Sequence, residues 1–354
     1  MKRAVIVGSG SEIAPVRLTN DQMARILDTS DAWIRERSGV EQRYFASPDV
    51  ATSDLGTAAA RKALERAGVA KEAVDMVVFA TMTPDHYFPG CATLLQEKLG
   101  LRDVPCLDIR QQCTGFLYGL QLADAQIRSG MAETVLLVGA EVHVGFMPWT
   151  RENFDYARGV SDVPPTAEEL AWNSRFRHLV VLFGDAGAAV VLRASEGGER
   201  GVVDHELHGA GADYDKLYVP GSGFKHRPYT SPEQFERGDH IPVMDGRFVF
   251  KAATTRLLEV ARSLLQKHKI ATDQLKLVLM HQANLRINEH CAKALGLRED
   301  QVPSNIQRYG NTTAATIPLL WDECARDGRL QPGDLVLLVA FGAGMTWGAS
   351  LVRA

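Results

Sequence analysis

Short apolar runs recur along the chain, and each is separated from the next by a segment with helical spacing. Residues 74–81 and 134–140 are two such runs, and the segment that begins near Ser53 is rich in Ala and Leu and stops at Gly68. Runs without polar alternation are typical of strands buried on both faces of a sheet. Their alternation with helices predicts an α/β fold, in which helices cover both faces of a mixed or parallel sheet.

The second half of the chain repeats this pattern in outline. Its predicted strands and helices lie at 201–208, 248–268, 275–280, 284–295, 311–327, 335–340 and 345–352. A pattern that recurs on this scale indicates internal duplication. The predicted halves are residues 1–195 and residues 196–354.

Two segments interrupt the repeat, residues 142–177 and residues 213–240. Each contains three prolines together with several aromatic and charged residues. Because proline breaks both helices and central strands, both segments are predicted to be insertions. Between them, residues 178–183 and 188–192 are predicted to form two adjacent strands around a glycine-rich turn.

Composition excludes several classes of function. The formal net charge is −4 and no basic block is present, so nucleic acid and acidic membrane surfaces are not expected partners. No run approaches the roughly 20 apolar residues that cross a membrane, and the basic start has too short an apolar run for a signal peptide. The five cysteines have no paired short spacing, which argues against a zinc site or a disulfide framework and favours the cytoplasm.

A cysteine lies where an apolar strand is predicted to turn into a helix, in the segment 108–120 (DIRQQCTGFLYGL). At a helix start, the partial positive charge of the peptide dipoles favours the thiolate form of Cys113. Unpaired backbone N–H groups at the same place can receive a developing oxyanion. Cys113 is therefore a candidate nucleophile, and a buried structural cysteine is the alternative.

Two further polar residues follow a strand or a glycine. His281 lies at the exit of the apolar strand 275–280, and Asn311 follows Gly310 at a predicted helix start. Each residue taken alone also has a structural interpretation. His281 could be an imidazole whose hydrogen bonds are satisfied within the protein, and Asn311 could be a helix cap. Because ligands gather at the carboxyl ends of strands in open α/β sheets, Cys113, His281 and Asn311 are expected to converge.

The motifs HQANLRI (281–287), GNTTAA (310–315) and FGAGMTWG (341–348), together with the Cys113 segment, resemble those of β-ketoacyl-acyl-carrier-protein synthase III in the thiolase superfamily. The resemblance covers nearly the whole chain except the two insertions. It implies a thiolase-like fold, with two duplicated βαβαβαββ halves packed as a layered α-β-α-β-α sandwich. It also implies a homodimer that needs no cofactor and no metal.

The implied reaction is a decarboxylative Claisen condensation. An acyl-CoA acylates Cys113, and a malonyl thioester, carried by acyl carrier protein, then condenses with the acyl group to give a 3-oxoacyl product. His281 and Asn311 donate hydrogen bonds to the malonyl thioester carbonyl, a role that needs a proton on His281 Nε2. The backbone N–H groups of Cys113 and Ala343 form the oxyanion hole of the acylation step.

The resemblance also implies binding residues. Trp33 and Arg177 flank the adenine of coenzyme A, Arg37 lies near its phosphates, and Arg175 is the alternative to Arg177. The remaining substrate residues are Gly246 and Asn284 in the pantetheine channel, together with Met244, Phe341 and Phe88, the last of which closes the acyl pocket of the partner subunit. Lys251 and Arg286 lie where the family docks its acidic carrier protein, with ordinary solvated charges as the alternative.

The chain departs from the family pattern in two respects. Gln111 and Gln112 precede the cysteine where small residues are commoner, and housekeeping members are expected to lack the two insertions. The insertions bring aromatic side chains to the substrate side: Trp149, Phe154, Tyr156, Trp172, Tyr214, Tyr218, Phe224 and Tyr229. The expectation is a specialised acyl group, longer or bulkier than acetyl, and a lid over it.

Other reactions on the same fold remain open. A thiolase usually has a second cysteine in the last glycine-rich turn, and residues 341–344 contain none. A hydroxymethylglutaryl-CoA synthase or a head-to-head acyl-condensing enzyme needs a glutamate base near the cysteine, and residues 81–88 offer only Asp85. Acyl transfer from Cys113 to a hydroxyl or amine, and a noncatalytic binding subunit, are the remaining alternatives.

Overall fold

The computed structural model describes residues 2–195 and 197–354. The strands are β1 (Ala4–Ile13), β2 (Val16–Thr19), β3 (Gln42–Phe45), β4 (Met76–Ala80), β5 (Cys106–Ile109), β6 (Thr134–Glu141), β7 (Ala186–Ala194), β8 (Gly201–Gly209), β9 (Leu217–Tyr218), β10 (Val243–Met244), β11 (Leu277–Met280), β12 (Leu335–Gly342) and β13 (Thr346–Arg353). The helices are α1 (Asn20–Met23), α2 (Asp31–Ser38), α3 (Thr52–Ala67), α4 (Cys91–Leu99), α5 (Gly115–Ser129), α6 (Arg151–Arg158), α7 (Ala167–Arg175), α8 (Arg177–Val180), α9 (Pro232–Arg237), α10 (Gly246–Lys267), α11 (Leu285–Leu295), α12 (Ile306–Tyr309) and α13 (Thr316–Arg326).

Two large sheets, one of five strands and one of four, share the same topology over four strands. The first has the strand order β1-β7-β6-β4-β5, and the second has the order β8-β13-β12-β11. In the first sheet β7 is antiparallel to both of its neighbours, and β4 is parallel to β6. In the second sheet β13 is likewise antiparallel to both of its neighbours, and β11 is parallel to β12. The predicted α/β fold with internal duplication is therefore confirmed. The last strand of the first sheet ends at Ala194 and the first strand of the second begins at Gly201, while the division into residues 1–195 and 196–354 stays a prediction.

The second sheet lacks a counterpart of β5. Strand β5 pairs with β4 at the edge of the first sheet, whereas no described strand pairs with the free edge of β11. The corresponding connection, residues 296–315, forms only helical turns, and Pro303 within it has no amide hydrogen to donate to a ladder. The second half therefore departs from the full βαβαβαββ pattern by one strand.

Five layers build the core. Helices α5 and α13 lie between the two sheets, where Phe116 and Leu120 of one helix and Ile317 and Leu320 of the other share a buried cluster with both sheets. Helices α3 and α4 cover the outer face of the first sheet, and α10 and α11 cover that of the second. This is the predicted α-β-α-β-α arrangement. No helix in the described part of the chain is long and apolar enough to span a membrane.

Strand β1 runs through Gly8 and Gly10 with a register shift between Ile6 and Gly8. The absence of side chains lets helix α3 pack closely, because a Cβ atom on Gly8 would lie 2.6 Å from the Cβ atom of Ala67. The strand predicted at 178–183 is wrong. Helix α8 occupies its start, Leu179 and Val180 are buried, and Phe183 forms only an isolated bridge with Asn311.

The two predicted insertions contain regular structure. The segment 142–177 contains α6 and α7, and it packs with α1, α2, β2 and β3 into a separate apolar cluster. Within that cluster the rings of Trp149 and Phe154 meet Phe45 edge-on, at centroid distances of 6.0 and 5.8 Å. The segment 213–240 contains β9 and α9, and β9 pairs with β10 just beyond it.

A buried carboxylate joins the two halves and gives a test of the fold. Asp322 on α13 is fully buried and accepts hydrogen bonds from Ser9 (2.9 Å) and Ser11 (2.7 Å) on β1. It also pairs with Arg66 on α3 at 2.6 Å and with Arg326 at 3.1 Å. Asp322→Ala is expected to lower the free energy of unfolding by about 1–3 kcal/mol, because it leaves the buried hydroxyl of Ser9 without its acceptor, while Arg66 and Arg326 are partly exposed and remain solvated. Equilibrium denaturation measures this loss.

Asp327→Ala is the matched control. Asp327 pairs with Arg329 at 2.7 Å on the surface, where its side chain is 48% exposed. Exposed pairs contribute about 1 kcal/mol or less, so this variant is expected to unfold nearly as the parent does. Equal losses in the two variants would contradict the role given to Asp322.

Candidate active site

The three residues expected to converge line one cavity. Its volume is about 1960 Å³, and Cys113, His281 and Asn311 all contribute to its wall. The other predicted site residues that line it are Trp33, Arg37, Met244, Gly246, Asn284, Arg286, Phe341 and Ala343. Three predicted residues, Phe88, Arg177 and Lys251, lie outside this lining.

Each half places a 3-10 turn directly before the helix that lies between the sheets, Gln112–Thr114 before α5 and Thr313–Ala315 before α13. The first residue of each turn has a positive φ, +45° at Gln112 and +49° at Thr313. Cys113 lies within its turn, whereas Asn311 lies two residues before the equivalent turn. The duplication therefore brings one polar residue from each half to the same edge of the central layer.

Cys113 lies in the short 3-10 turn Gln112–Thr114, between β5 and α5. Gly342 at the end of β12 packs directly on it, since a Cβ atom on Gly342 would lie 2.8 Å from the Cβ atom of Cys113. The backbone N–H groups of Ala343 and of Cys113 itself donate toward the sulfur. These are the two groups expected to form the oxyanion hole.

The expected thiolate is not favoured in the free protein. Burial raises the pKa of the Cys113 thiol to about 12, and the negative charge of Glu141 acts in the same direction. The N–H groups of Ala343 and Cys113 lower the pKa but do not offset the burial. The resting form of Cys113 is therefore the thiol. The helix start predicted a lowered pKa, but the opposing effect of burial could not be seen in the sequence.

His281 is buried at the end of β11, and only one of its ring nitrogens has a protein partner. Nδ1 lies 2.6 Å from the Thr316 hydroxyl, whereas Nε2 is buried and has no hydrogen-bond partner in the described residues. An unpartnered buried nitrogen costs about 1–3 kcal/mol, which is typical of a group kept free for a ligand. Burial lowers the pKa of His281 to about 3, so the ring is neutral at ordinary pH.

The Thr316 hydroxyl controls which ring nitrogen carries the proton. It lies 2.6 Å from His281 Nδ1 and 3.0 Å from the carbonyl oxygen of Thr313, and it has one hydrogen to donate. If the hydroxyl donates to the carbonyl, it accepts a hydrogen bond from Nδ1–H, and Nε2 is left as an acceptor. If it turns to Nδ1, the ring proton lies on Nε2, which then donates.

Asn311 is fixed on every side except its amide nitrogen. Its backbone N–H donates to Leu182 (2.7 Å), and its carbonyl accepts from Gly184 (3.1 Å). Its side-chain Oδ1 accepts a hydrogen bond from the N–H of Thr313 at 2.8 Å. Nδ2 makes no hydrogen bond to any residue the structure describes, so it is the end of the carboxamide available to a ligand. The sequence predicts a helix start at Asn311, but the structure has none there. A 3-10 turn begins at Thr313, and α13 begins at Thr316.

Aromatic and guanidinium groups stack at the predicted coenzyme A end of the cavity. The guanidinium of Arg37 lies 4.6 Å from the Trp33 ring centroid, and that of Arg177 lies 5.1 Å from it. Arg175 instead lies over Trp172 and Phe176. Of the two alternatives, the structure brings Arg177 to Trp33.

The pantetheine and carrier residues lie along α10 and α11. Asn284 caps α11, and its Nδ2 donates to the carbonyl of Arg37 at 2.8 Å. The Arg286 guanidinium lies 6.0 Å from the ring centroid of Phe250, while Lys251 is exposed on the neighbouring helix. Both cations therefore lie on the outer side of the second half, beside the mouth of the cavity.

The aromatic residues of the insertions divide between core and cavity. Trp149 and Phe154 are buried but reach the lining, and Tyr214, Tyr218 and Tyr229 line it from the second insertion. Tyr156 and Trp172 pack in the first insertion's own cluster. Phe224 is exposed and meets Tyr87 and Tyr229 at centroid distances of 5.0 and 4.9 Å.

Gln112 lines the cavity beside Cys113, whereas Gln111 does not.

A buried glutamate was missed by the sequence reasoning. Glu141 at the end of β6 accepts hydrogen bonds from the hydroxyls of Thr81 (3.0 Å) and Thr83 (2.6 Å) and from the N–H of Met82. Burial raises its pKa. Since its carboxylate is enclosed by these donors, it organises the cavity-lining residues 82–83 and is not placed to act as a base. The sequence feature that could have identified Glu141 is an acidic residue directly after a buried strand.

No cluster of three or more His, Cys, Asp or Glu side chains that could hold a metal ion occurs among residues 2–195 and 197–354. The donors at the site are instead backbone N–H groups, one imidazole and one carboxamide. Such a set supplies hydrogen bonds to a developing negative charge on oxygen.

Comparison with known proteins gives a consistent result. The sequence matches the family model described as 3-oxoacyl-[acyl-carrier-protein (ACP)] synthase III over residues 107–159, and the model described as the C terminal of that enzyme over residues 265–354. It is 42% identical over 358 residues to a β-ketoacyl-[acyl-carrier-protein] synthase III of Rhodospirillum rubrum, with 100% of both chains covered. A protein of the same name from Erythrobacter litoralis is 40% identical, again with 100% of both chains covered.

Solved structures agree with the sequence relatives. The crystal structure of a 3-oxoacyl-[acyl-carrier-protein] synthase III from Aquifex aeolicus has a TM-score of 0.84 and 33% identity, and the comparison covers 99% of this chain and 100% of that one. Because the relatives align with this chain over their whole length, the segments 142–177 and 213–240 are not insertions peculiar to it. The expectation that family members lack such material does not hold for these relatives.

Proposed function

The chain belongs to the 3-oxoacyl-[acyl-carrier-protein] synthase III family, and on that premise we propose that Cys113 carries the acyl group of a decarboxylative condensation in fatty acid biosynthesis. The acyl donor is an acyl-CoA, and the extender is a malonyl thioester on acyl carrier protein. One observation carries the proposal: His281 Nε2 and Asn311 Nδ2 have no partner among the described residues, and both side chains line the same cavity as Cys113.

In the acylation step, the Cys113 sulfur attacks the thioester carbonyl carbon of the acyl-CoA. The carbonyl oxygen becomes an oxyanion that accepts hydrogen bonds from the N–H groups of Cys113 and Ala343, the groups already directed at the sulfur. The bond to the coenzyme A sulfur then breaks, and the thiol proton of Cys113 ends on that sulfur. Because the pKa of Cys113 is about 12, loss of this proton accompanies the attack.

In the condensation step, the bond between the malonyl carboxylate and its α-carbon breaks and carbon dioxide leaves. The electron pair moves onto the thioester oxygen as an enolate, which accepts hydrogen bonds from His281 Nε2–H and Asn311 Nδ2–H. The enolate carbon attacks the acyl thioester, and the Cys113 sulfur leaves. The donor role of His281 requires the arrangement in which the Thr316 hydroxyl donates to Nδ1.

Substrate binding follows from the stacked groups at the cavity mouth. Trp33 and Arg177 supply a ring and a guanidinium that suit a purine, with Arg37 beside them for phosphate. Because the Arg177 guanidinium lies 5.1 Å from the Trp33 ring centroid, it has to move away from the ring to admit the base between them. Lys251 and Arg286 offer positive charge to an acidic carrier protein. No cofactor takes part, and the protein acts in the cytoplasm.

A homodimer completes the proposed assembly. Phe88 is 79% exposed and Leu107 on the edge strand β5 is 41% exposed, so an apolar surface and an unpaired strand edge lie side by side. Exposed strand edges of this kind are normally covered in native proteins. In the dimer Phe88 closes the acyl pocket of the partner subunit.

Mass spectrometry and carbon dioxide release test the proposed function together. After incubation with an acyl-CoA, peptide mapping is expected to find the acyl group on Cys113 and on none of the other cysteines, Cys91, Cys106, Cys291 and Cys324, which serve as internal controls. Malonyl-acyl carrier protein is then expected to release carbon dioxide and yield a 3-oxoacyl product. An acyl adduct that passes to a hydroxyl or amine without carbon dioxide would favour acyl transfer, and no adduct would refute the proposal. The rates of acylation with a series of acyl-CoA substrates of increasing chain length then identify the preferred acyl group.

A further inference from the structure

We propose that the buried pair Asp185 and His143 holds Asn311, one of the two hydrogen-bond donors of the condensation step, in place by acting through Thr313. The proposal rests on the proposed function, because it takes Asn311 as a donor to the enolate. His143, Asp185 and Thr313 are positioning residues and act through Asn311.

The pair is fully enclosed by protein. The exposed fractions are 1% for both His143 and Asp185. Asp185 Oδ1 accepts a hydrogen bond from the backbone N–H of His143 at 2.6 Å and lies 3.3 Å from its ring Nδ1. The other oxygen, Oδ2, accepts from the N–H of Ala46 at 2.9 Å, and the His143 ring stacks on Phe183 at 4.7 Å. These contacts leave the imidazole no freedom to turn.

The carboxylate sets the tautomer of His143. Because Asp185 Oδ1 can only accept, Nδ1 carries the ring proton and Nε2 is an acceptor. His143 Nε2 lies 2.8 Å from the Thr313 hydroxyl, which therefore donates to it. The sequence Asp185–His143–Thr313 is thus a directed chain of hydrogen bonds that ends on a residue of the cavity wall.

Thr313 joins this chain to one of the two donors. Its backbone N–H donates to Asn311 Oδ1 at 2.8 Å, which turns Asn311 Nδ2 toward the cavity. The other donor is held separately, because the arrangement that makes His281 a donor has the Thr316 hydroxyl donating to Nδ1 and not to the Thr313 carbonyl. The chain of hydrogen bonds therefore orients Asn311.

The backbone of Thr313 needs such support. Its φ is +49°, a region that a β-branched residue rarely adopts and that costs about 1–3 kcal/mol. A strained conformation persists only where surrounding contacts fix it, and the His143 hydrogen bond is the side-chain contact that does so. Loss of that bond is expected to let Thr313 relax and to turn Asn311 Nδ2 away from the enolate.

The test compares the two partial reactions in variants of the chain. Thr313→Val removes the hydroxyl at nearly constant shape, and His143→Phe removes the acceptor but keeps a ring against Phe183. Each is expected to slow carbon dioxide release from malonyl-acyl carrier protein about tenfold, as for a misplaced donor, while the rate of Cys113 acylation stays within about twofold. The double variant is expected to be no slower than either single variant, because both break the same chain.

Two controls separate positioning from general damage. Thr313→Ser keeps the hydroxyl and is expected to retain the parental rate of carbon dioxide release. Thr57→Val removes another buried hydroxyl, bonded to the Ser53 carbonyl on α3 at 2.6 Å and remote from the cavity wall, and is expected to change neither rate.

Each outcome decides the proposal. Unchanged carbon dioxide release in Thr313→Val, additive losses in the double variant, or a parallel fall of acylation and thermal stability would overturn it. If His143→Phe does not fold, Thr313→Val and Thr313→Ser still give the comparison. Failure of the parent protein to release carbon dioxide at all would refute the proposed function instead, so the two failures are distinguishable.

Discussion

His281→Ala and Asn311→Ala are each expected to slow decarboxylative condensation by about 10²–10³-fold while leaving Cys113 able to take an acyl group from acyl-CoA. The reason is that each variant removes one donor to the enolate, and removal of one such donor typically costs this factor. Acylation depends on different donors, the N–H groups of Cys113 and Ala343. Single-turnover measurements of carbon dioxide release and of the acyl adduct separate the two steps.

The pH dependence gives this prediction a second readout. Because burial lowers the pKa of His281 to about 3, the ring stays neutral from about pH 5 to 8 and the donor does not titrate there. The fold reduction in condensation rate caused by His281→Ala is therefore expected to be the same across that pH range. A factor that changes steeply near pH 6.5 would show that His281 titrates in the working enzyme.

A matched histidine variant serves as the control. His208 on β8 stacks on Trp347 at 5.4 Å and lies outside the cavity wall, so His208→Ala is expected to retain both partial reactions. If His281→Ala lost the acyl adduct as well as condensation, His281 would be the base of the acylation step, and the division of labour between the donors would be wrong.

The sequence was sufficient to find the candidate reacting residues because each has a local signal. Cys113 and His281 follow apolar strands, and Asn311 follows a glycine, so the topology of an α/β fold brings them to one place. The duplicated sheets were predictable for a similar reason, since buried strands and helices have distinct periods.

The supporting residues could not be found in this way. Thr313 lies within the motif GNTTAA, but His143 and Asp185 are far from it in the sequence and no pattern links the three residues. Their roles come from contacts that only the folded chain makes. The same holds for the pKa of Cys113, which depends on how deeply the sulfur is buried and on the charge of Glu141 rather than on the helix start alone.

Gly342→Ala is expected to lower the rate of Cys113 acylation by about 100-fold or more, although alanine is the smallest possible side chain. A Cβ atom at this position would lie 2.8 Å from the Cβ atom of Cys113 and 3.2 Å from its backbone nitrogen. Neither atom is the end of a flexible side chain, so the turn that carries the sulfur has to move. A displacement of about 1 Å at a reacting group costs on the order of 100-fold in rate.

The movement is expected to affect the oxyanion hole as well. Gly342 precedes Ala343, whose N–H donates toward the sulfur, so the added methyl group separates the nucleophile from one of its two donors. Gly211→Ala is the control, because a Cβ atom at this exposed glycine would meet no atom within 4 Å, and it is expected to acylate at the parental rate. Acylation is followed by intact mass over time, with thermal unfolding measured in parallel. A Gly342→Ala protein that folds and acylates like the parent would mean that the contact between β12 and the Cys113 turn does not set the position of the nucleophile.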